Sequence, residues 1–164
     1  MLKLAFHNKF DGRTNKWPSA VLFVILLCWA SHVSAAQLCL FDPKTDQEIK
    51  RYLPHQDQMF ALSFIHSVSL TPVIDEYILQ DEMIVQTREI FEAHGAGLPS
   101  FDNDVGATGW QFENGKFILE MERQFEQMRV RIQQEYKNML HIAGQDIDLS
   151  LFNRSVVTLR ACPR

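Results

Sequence analysis

The sequence predicts a mainly β, antiparallel fold. Apolar residues alternate at two-residue spacing in several short runs, and turn-forming clusters separate those runs. Between two of them stands Asn114-Gly115, the pair that most strongly marks a two-residue hairpin loop.

Gln37 to Phe41 reads as the first short strand, and Asp42-Pro43-Lys44-Thr45-Asp46 as the turn that ends it. Phe60, Leu62, Phe64 and His66 alternate with Ala61, Ser63, Ile65 and Ser67. Both faces are largely apolar, which marks an interior strand. Pro72 lacks the amide that a ladder needs and interrupts the pattern. Val73 to Leu79 resumes it, with Asp75 and Glu76 inside the run. Asp81-Glu82 turns the chain, and Met83 to Phe91 follows with Met83, Val85, Thr87, Glu89 and Phe91 on one face. Glycines and proline from His94 to Trp110 (Gly95, Gly97, Pro99, Gly106, Gly109) specify a shaped loop. Trp110-Gln111-Phe112 and Phe117-Ile118-Leu119 flank the Asn114-Gly115 turn.

Residues 119–139 carry two conflicting patterns. Met121, Phe125, Met128, Ile132, Tyr136 and Met139 recur at steps of four and three among Glu, Gln and Arg, as on an amphipathic helix. Met128, Val130 and Ile132 also alternate with Arg129 and Arg131, as on a half-solvated strand. The helical pattern is the longer of the two and is the expectation here. Leu140 to Ala143, a turn at Gly144-Gln145, and Ile147 to Leu151 form a further hairpin, and Val156 to Leu159 a final strand. No repeat, low-complexity tract or linker divides residues 36–164, which therefore read as a single domain.

The first residues have a different character. Lys3, Lys9, Arg13 and Lys16 precede the apolar run Val21 to Trp29, and Val33-Ser34-Ala35-Ala36 closes it with small residues. This is the layout of a secretory signal peptide over residues 1–35, cleaved after Ala35. An uncleaved anchor is the competing reading, although the apolar run is about half the ~20 residues that a membrane-crossing helix needs.

Removing Lys3, Lys9, Arg13, Lys16 and Asp11 leaves 12 Lys plus Arg against 19 Asp plus Glu, a net charge of about −7. Such a surface repels nucleic acid and anionic lipid. Cys28 departs with the leader, and Cys39 and Cys162 remain near the two ends of the domain. In an oxidising compartment an even pair invites a disulfide. Closing so long a loop would stabilise the fold by roughly 4–5 kcal/mol and hold the last strand beside the first. No C-x-x-C spacing supports a redox role.

His66, Ser67, Asp75 and Glu76 are the residues from which acid–base or nucleophilic chemistry would be built. Neighbours along a strand point to opposite faces, which separates Ser67 from His66. No G-x-S-x-G elbow is present either, so the sequence points away from a hydrolase. His66, Glu76, His94 and His141 offer metal-ligand chemistry, but none stands in a local zinc spacing, and no metal site is assigned. The segment Gly95-Ala96-Gly97-Leu98-Pro99 lacks the Lys-Ser/Thr pair of a phosphate loop and reads as architecture.

His66-Ser67-Val68, Thr71-Pro72-Val73, Glu76-Tyr77 and Gly95-Ala96-Gly97-Leu98-Pro99 occur in that order, followed by Gly109-Trp110 and the segment Leu140–Leu149. With these blocks the chain resembles the DUF1850 family, from about Leu38 to Leu159. Its members are small exported bacterial proteins, often encoded beside the permeases of TAXI-type TRAP transporters. The resemblance implies an exported all-β domain and supplies no established catalytic residue. Combined with the helical period, it leads to an antiparallel β-sandwich or barrel-like domain with one amphipathic helix around 119–137. The functional expectation is a non-enzymatic periplasmic accessory protein of a TAXI-type TRAP system, without cofactor. Its contacts with the permease or its solute-binding protein are expected at His66, Ser67, Glu76, Gly95, Gly97, Leu98, Pro99 and Trp110. The alternative is a small-molecule or metal-binding module of the cell envelope, with His66 and Glu76 lining a cup.

Overall fold

The structure, a computed structural model, describes residues 36–93, Leu98 and residues 106–163. The expected signal peptide lies outside the described residues, as do His94, Gly95, Gly97 and Pro99. In chain order the strands are β1 (Gln37–Phe41), β2 (Glu48–Tyr52), β3 (Met59–Ile65), β4 (Pro72–Gln80), β5 (Met83–Phe91) and β6 (Ala107–Glu113). They continue with β7 (Lys116–Phe125), β8 (Met128–Arg131), β9 (Met139–Ile142), β10 (Gln145–Asp148) and β11 (Val156–Cys162). One sheet has the order β2-β1-β11-β8 and the other β10-β9-β3-β4-β5-β7-β6, with antiparallel pairing throughout. The two pack as a β-sandwich and close no barrel.

Strand alternation explains how the sandwich closes. Leu38 and Leu40 of β1 and Val157 and Leu159 of β11 turn to one side and are fully buried. They meet Leu62, Leu79, Ile84 and Leu140 of the larger sheet in the main core. Burying a side chain of this size contributes about 1.5–3 kcal/mol, and the contiguous set accounts for the tight association of the sheets. A second, smaller apolar cluster joins Val73, Phe91 and Leu98, with Phe64, Trp110 and Phe117 packed against it.

The helix expected around 119–137 is not formed. β7 runs through Phe125, β8 follows after Glu126-Gln127, and the only helical turn nearby is a 3-10 turn at Gln134–Tyr136. Phe117, Leu119 and Met121 share one face of β7, and the strand bonds β5 on one side and β6 on the other. Two ladders and an apolar inner face outweigh helix propensity, which is a weak preference that tertiary pairing readily overrides. The four-and-three spacing arose because inward residues of two strands, Met121 and Phe125 then Met128 and Ile132, are joined across a short break.

Further expectations are corrected. β5 does not present one face from Met83 to Phe91. Glu76 pairs with Arg88 while Tyr77 pairs with Gln86, so Thr87 is the extra residue of a β-bulge and reverses the alternation. The loop after β5 ends before Gly109 and Trp110, which belong to β6. The turn between β9 and β10 is Ala143-Gly144, both with positive φ (51° and 73°), one residue earlier than expected. β2, with the charged sequence EIKRY, was not anticipated.

The strand expected at Ile147 to Leu151 is β10 up to Asp148, and Leu149–Phe152 forms a 3-10 turn instead. The hairpin turn and the cysteine pairing are formed as expected. Asn114 (φ 52°) and Gly115 (φ 78°) make the tight β6–β7 turn. Cys39 and Cys162 form a disulfide with Cα atoms 6.1 Å apart, diagonally across the β1–β11 pair. Among the described residues no helix is long and apolar enough to cross a membrane.

Candidate functional site

Register across the large sheet places its inward side chains in rows. Phe64, Val73, Phe91 and Phe117 form one; Leu62, Asp75, Glu89 and Leu119 the next; Phe60, Tyr77, Gln86 and Arg123 the third. Polar groups thus occupy the middle of the sandwich wall, between the aromatic cluster and the main core. The Thr87 bulge makes this possible, because it turns both Glu89 and Gln86 inward.

Asp75 is the centre of this set. Gln86 Nε2 donates to its Oδ1 at 3.1 Å, and the Tyr77 hydroxyl donates to the same carboxylate. Burial pushes the Asp75 carboxyl up to about 6, against the opposing pull of Tyr77, Arg123 and Gln86. Burial, followed by the adjacent Asp75 charge, raises the Tyr77 phenol far above its usual range and keeps it a donor. Tyr77 is 4% exposed and stacks on Phe60 with ring centroids 5.0 Å apart. Asp75 itself is only half-buried, and it borders a cleft.

That cleft lies between the sheets and has a volume of about 350 Å³. Leu62, Phe64 and Tyr77 line it from the large sheet, Met128 and Val130 from β8, and Tyr136 from the segment between β8 and β9. An apolar wall with one desolvated carboxyl is the composition of a binding cleft.

His66 and Ser67 also line the cleft, but His66 serves the β3–β4 turn. Its Nδ1 accepts the Ser69 amide at 3.1 Å and lies 3.0 Å from Ser69 Oγ, which lies 2.8 Å from Thr71 Oγ1. Accepting an amide leaves Nδ1 without a proton and puts the proton of the neutral ring on Nε2. Glu76 is on the opposite face of the sheet, where Arg88 binds it at 2.6–2.7 Å. His66 and Glu76 therefore do not share a cup. Trp110 packs edge-on to Phe91 at 5.8 Å and lies 5.6 Å from Phe117, and Leu98 is buried on Val73 and Phe91.

A Ser–His–Asp chain is present on the outer face, assembled from residues that the sequence did not single out as a set. Ser63 Oγ lies 2.8 Å from His141 Nε2, and His141 Nδ1 lies 2.7 Å from Asp146 Oδ1. Its surroundings do not suit acyl transfer. The His66 N–H→Thr71 O bond of 2.9 Å fixes the ladder phase, so Phe64 bonds Val73 and Ser63 bonds Met139. Both amides next to the hydroxyl are thereby committed, and neither can serve as an oxyanion donor. Among the described residues no group of three or more His, Cys, Asp or Glu could hold a metal ion.

Asp75 was legible as an inward polar residue, because Val73, Asp75, Tyr77 and Leu79 alternate. Gln86, Glu89 and Arg123 were not, since the bulge that gathers them leaves no local mark. The family described as Domain of unknown function (DUF1850) matches residues 60–149. No curated protein and no solved structure matches the chain.

Proposed function

The chain belongs to the DUF1850 family, and on that footing we propose that it is an exported, non-enzymatic binding protein that assists a transport system. The carrying observation is the inter-sheet cleft with the half-buried Asp75 on its wall. The Cys39–Cys162 disulfide supports an oxidising compartment, for which the basic-apolar leader supplies the route. The periplasm is the compartment that the resemblance implies, and a TAXI-type TRAP system is the transporter. The partner is its permease or its solute-binding protein. The non-enzymatic part of the reading is supported by the Ser63 and Phe64 amides, which are committed to the sheet ladders beside the Ser63–His141–Asp146 chain.

Mild-detergent co-purification of the tagged full chain from its native membranes, followed by mass spectrometry, tests this. Recovery of a TRAP permease or its binding protein is the expected result; a clean monomer would remove the transport reading.

The second reading is a small-molecule module of the envelope, favoured by the largely apolar cleft between the sheets. Calorimetry with small amines and carboxylates checks it, and no heat from fully folded protein would end it. The metal-binding form of that reading loses its basis, because Glu76 and His141 face away from His66.

A further inference from the structure

Among the described residues the four-stranded sheet ends at β8, whose one partner there is β11. The Ile132 N–H→Ser155 O bond of 2.9 Å sets the phase of that ladder. Met128 and Val130 therefore exchange bonds with Leu159 and Val157, whereas the amides and carbonyls of Arg129 and Arg131 point away from β11. In the facing sheet the same reasoning turns the Ile65 amide and carbonyl away from β4, and β9 pairs no further along β3 than Ser63. Arg129, Arg131 and Ile65 all border the inter-sheet cleft. Its rim is thus strand backbone with open hydrogen-bonding capacity, next to a desolvated carboxyl.

Folded proteins guard such edges with charge, and Arg129 and Arg131 do so here. Both are exposed, and neither is paired with a carboxylate among the described residues. Two arginines at alternate positions repel a second copy of the same edge. They favour a strand that carries acidic side chains.

The geometry points to β-augmentation at β8: an extended acidic segment of a partner protein adds as the fifth strand of the small sheet. Its outward acidic side chains lie beside Arg129 and Arg131. Its inward side chains enter the cleft, where an N–H or O–H group donates to Asp75. The inference rests on the accessory-protein reading and specifies how the partner is held.

The test uses the full chain in its native membranes, with photo-reactive benzoylphenylalanine in place of the exposed Glu126, two residues before β8. The crosslinked segment is identified by tandem mass spectrometry in three backgrounds: wild type, Arg129→Ala and Arg129→Pro. Proline removes no internal bond, because the Arg129 amide points outward, but it closes the edge to a new strand. Crosslinking to one acidic, extended segment is expected, reduced about tenfold by Arg129→Pro and less than about threefold by Arg129→Ala. Hydrogen exchange provides a reading free of substitution: the Arg129 and Arg131 amides slow at least about tenfold in the purified complex. Equal yields in the three backgrounds, a crosslink to this chain's own β8, or unprotected amides overturn the inference. Partner recovery with undiminished Arg129→Pro crosslinking rejects the edge alone; failure of wild type to recover any partner rejects the edge and the accessory reading together.

Discussion

Tyr77 donates its hydroxyl to the carboxylate of Asp75, its neighbour two residues back on the inward face of β4. The pair places a titrating group inside the sandwich wall, where its proton is linked to stability. The folded value of about 6 lies above the ordinary 3.8. The folded state therefore holds the proton more tightly between those values. This contribution is fully present below about pH 4 and is lost as pH rises through 6, a change of at most about 3 kcal/mol. Asp75→Asn should flatten that part of the profile. Urea unfolding from pH 4 to 8 checks it, and identical slopes for the two proteins would refute it.

Reduction of the Cys39–Cys162 bond should lower stability by roughly 4 kcal/mol, because the bond closes a separation of 123 residues. Cys162→Ser should match the reduced protein and be indifferent to added thiol. Denaturant curves with and without reductant provide the comparison.

Gly106 has φ +82°, and a β-carbon there would come within 3.1 Å of the Glu122 carbonyl oxygen. A β-carbon on Gly109 would meet Glu120 at an ordinary 3.5 Å. Gly106→Ala should therefore cost more than about 1 kcal/mol, and Gly109→Ala less. Thermal melts of the two variants decide the order.

His66→Ala removes the acceptor of the Ser69 amide and should destabilise the domain by about 1–2 kcal/mol. Partner recovery by the molecules that remain folded should persist. Lost recovery at full stability would make His66 a contact residue instead.

Ser63 should resist a fluorophosphonate probe under conditions that label a control serine esterase, because its own amide and that of Phe64 are committed to the ladders. Labelling that disappears in His141→Ala would establish a reactive serine and end the non-enzymatic reading.

Elements whose turns are chemically explicit were legible. Asn114-Gly115 located the β6–β7 hairpin, and the alternating apolar residues of β1, β3 and β11 located those strands. β2 escaped because only Ile49 and Tyr52 of this edge strand pack on the core, at a spacing that is not the two-residue strand period, while Glu48 and Arg51 pair with each other at 2.7 Å. The spurious helix has the opposite cause, since Met121, Phe125, Met128 and Ile132 have helical spacing only because a two-residue break joins two strands. Of the candidate site, the alternation of β4 exposed Asp75. Its partners depend on the Thr87 bulge, which exists through pairing with β4 and β7 and has no local sequence marker. The free edge of β8 is likewise a property of sheet order.

The β1–β11 pairing also dictates an order of assembly. β1 sits between β2, which follows it closely, and β11, which emerges after all the other described strands in any synthesis or translocation that begins at the amino terminus. Until then the small sheet lacks its middle, the large sheet has no lid, and the Cys39 thiol waits without its mate. Such long-range closure makes folding slow and late relative to local hairpins. A chain truncated before Val156 would retain all seven strands of the large sheet yet leave its inner face bare, a state suited to capture by chaperones and proteases rather than to function.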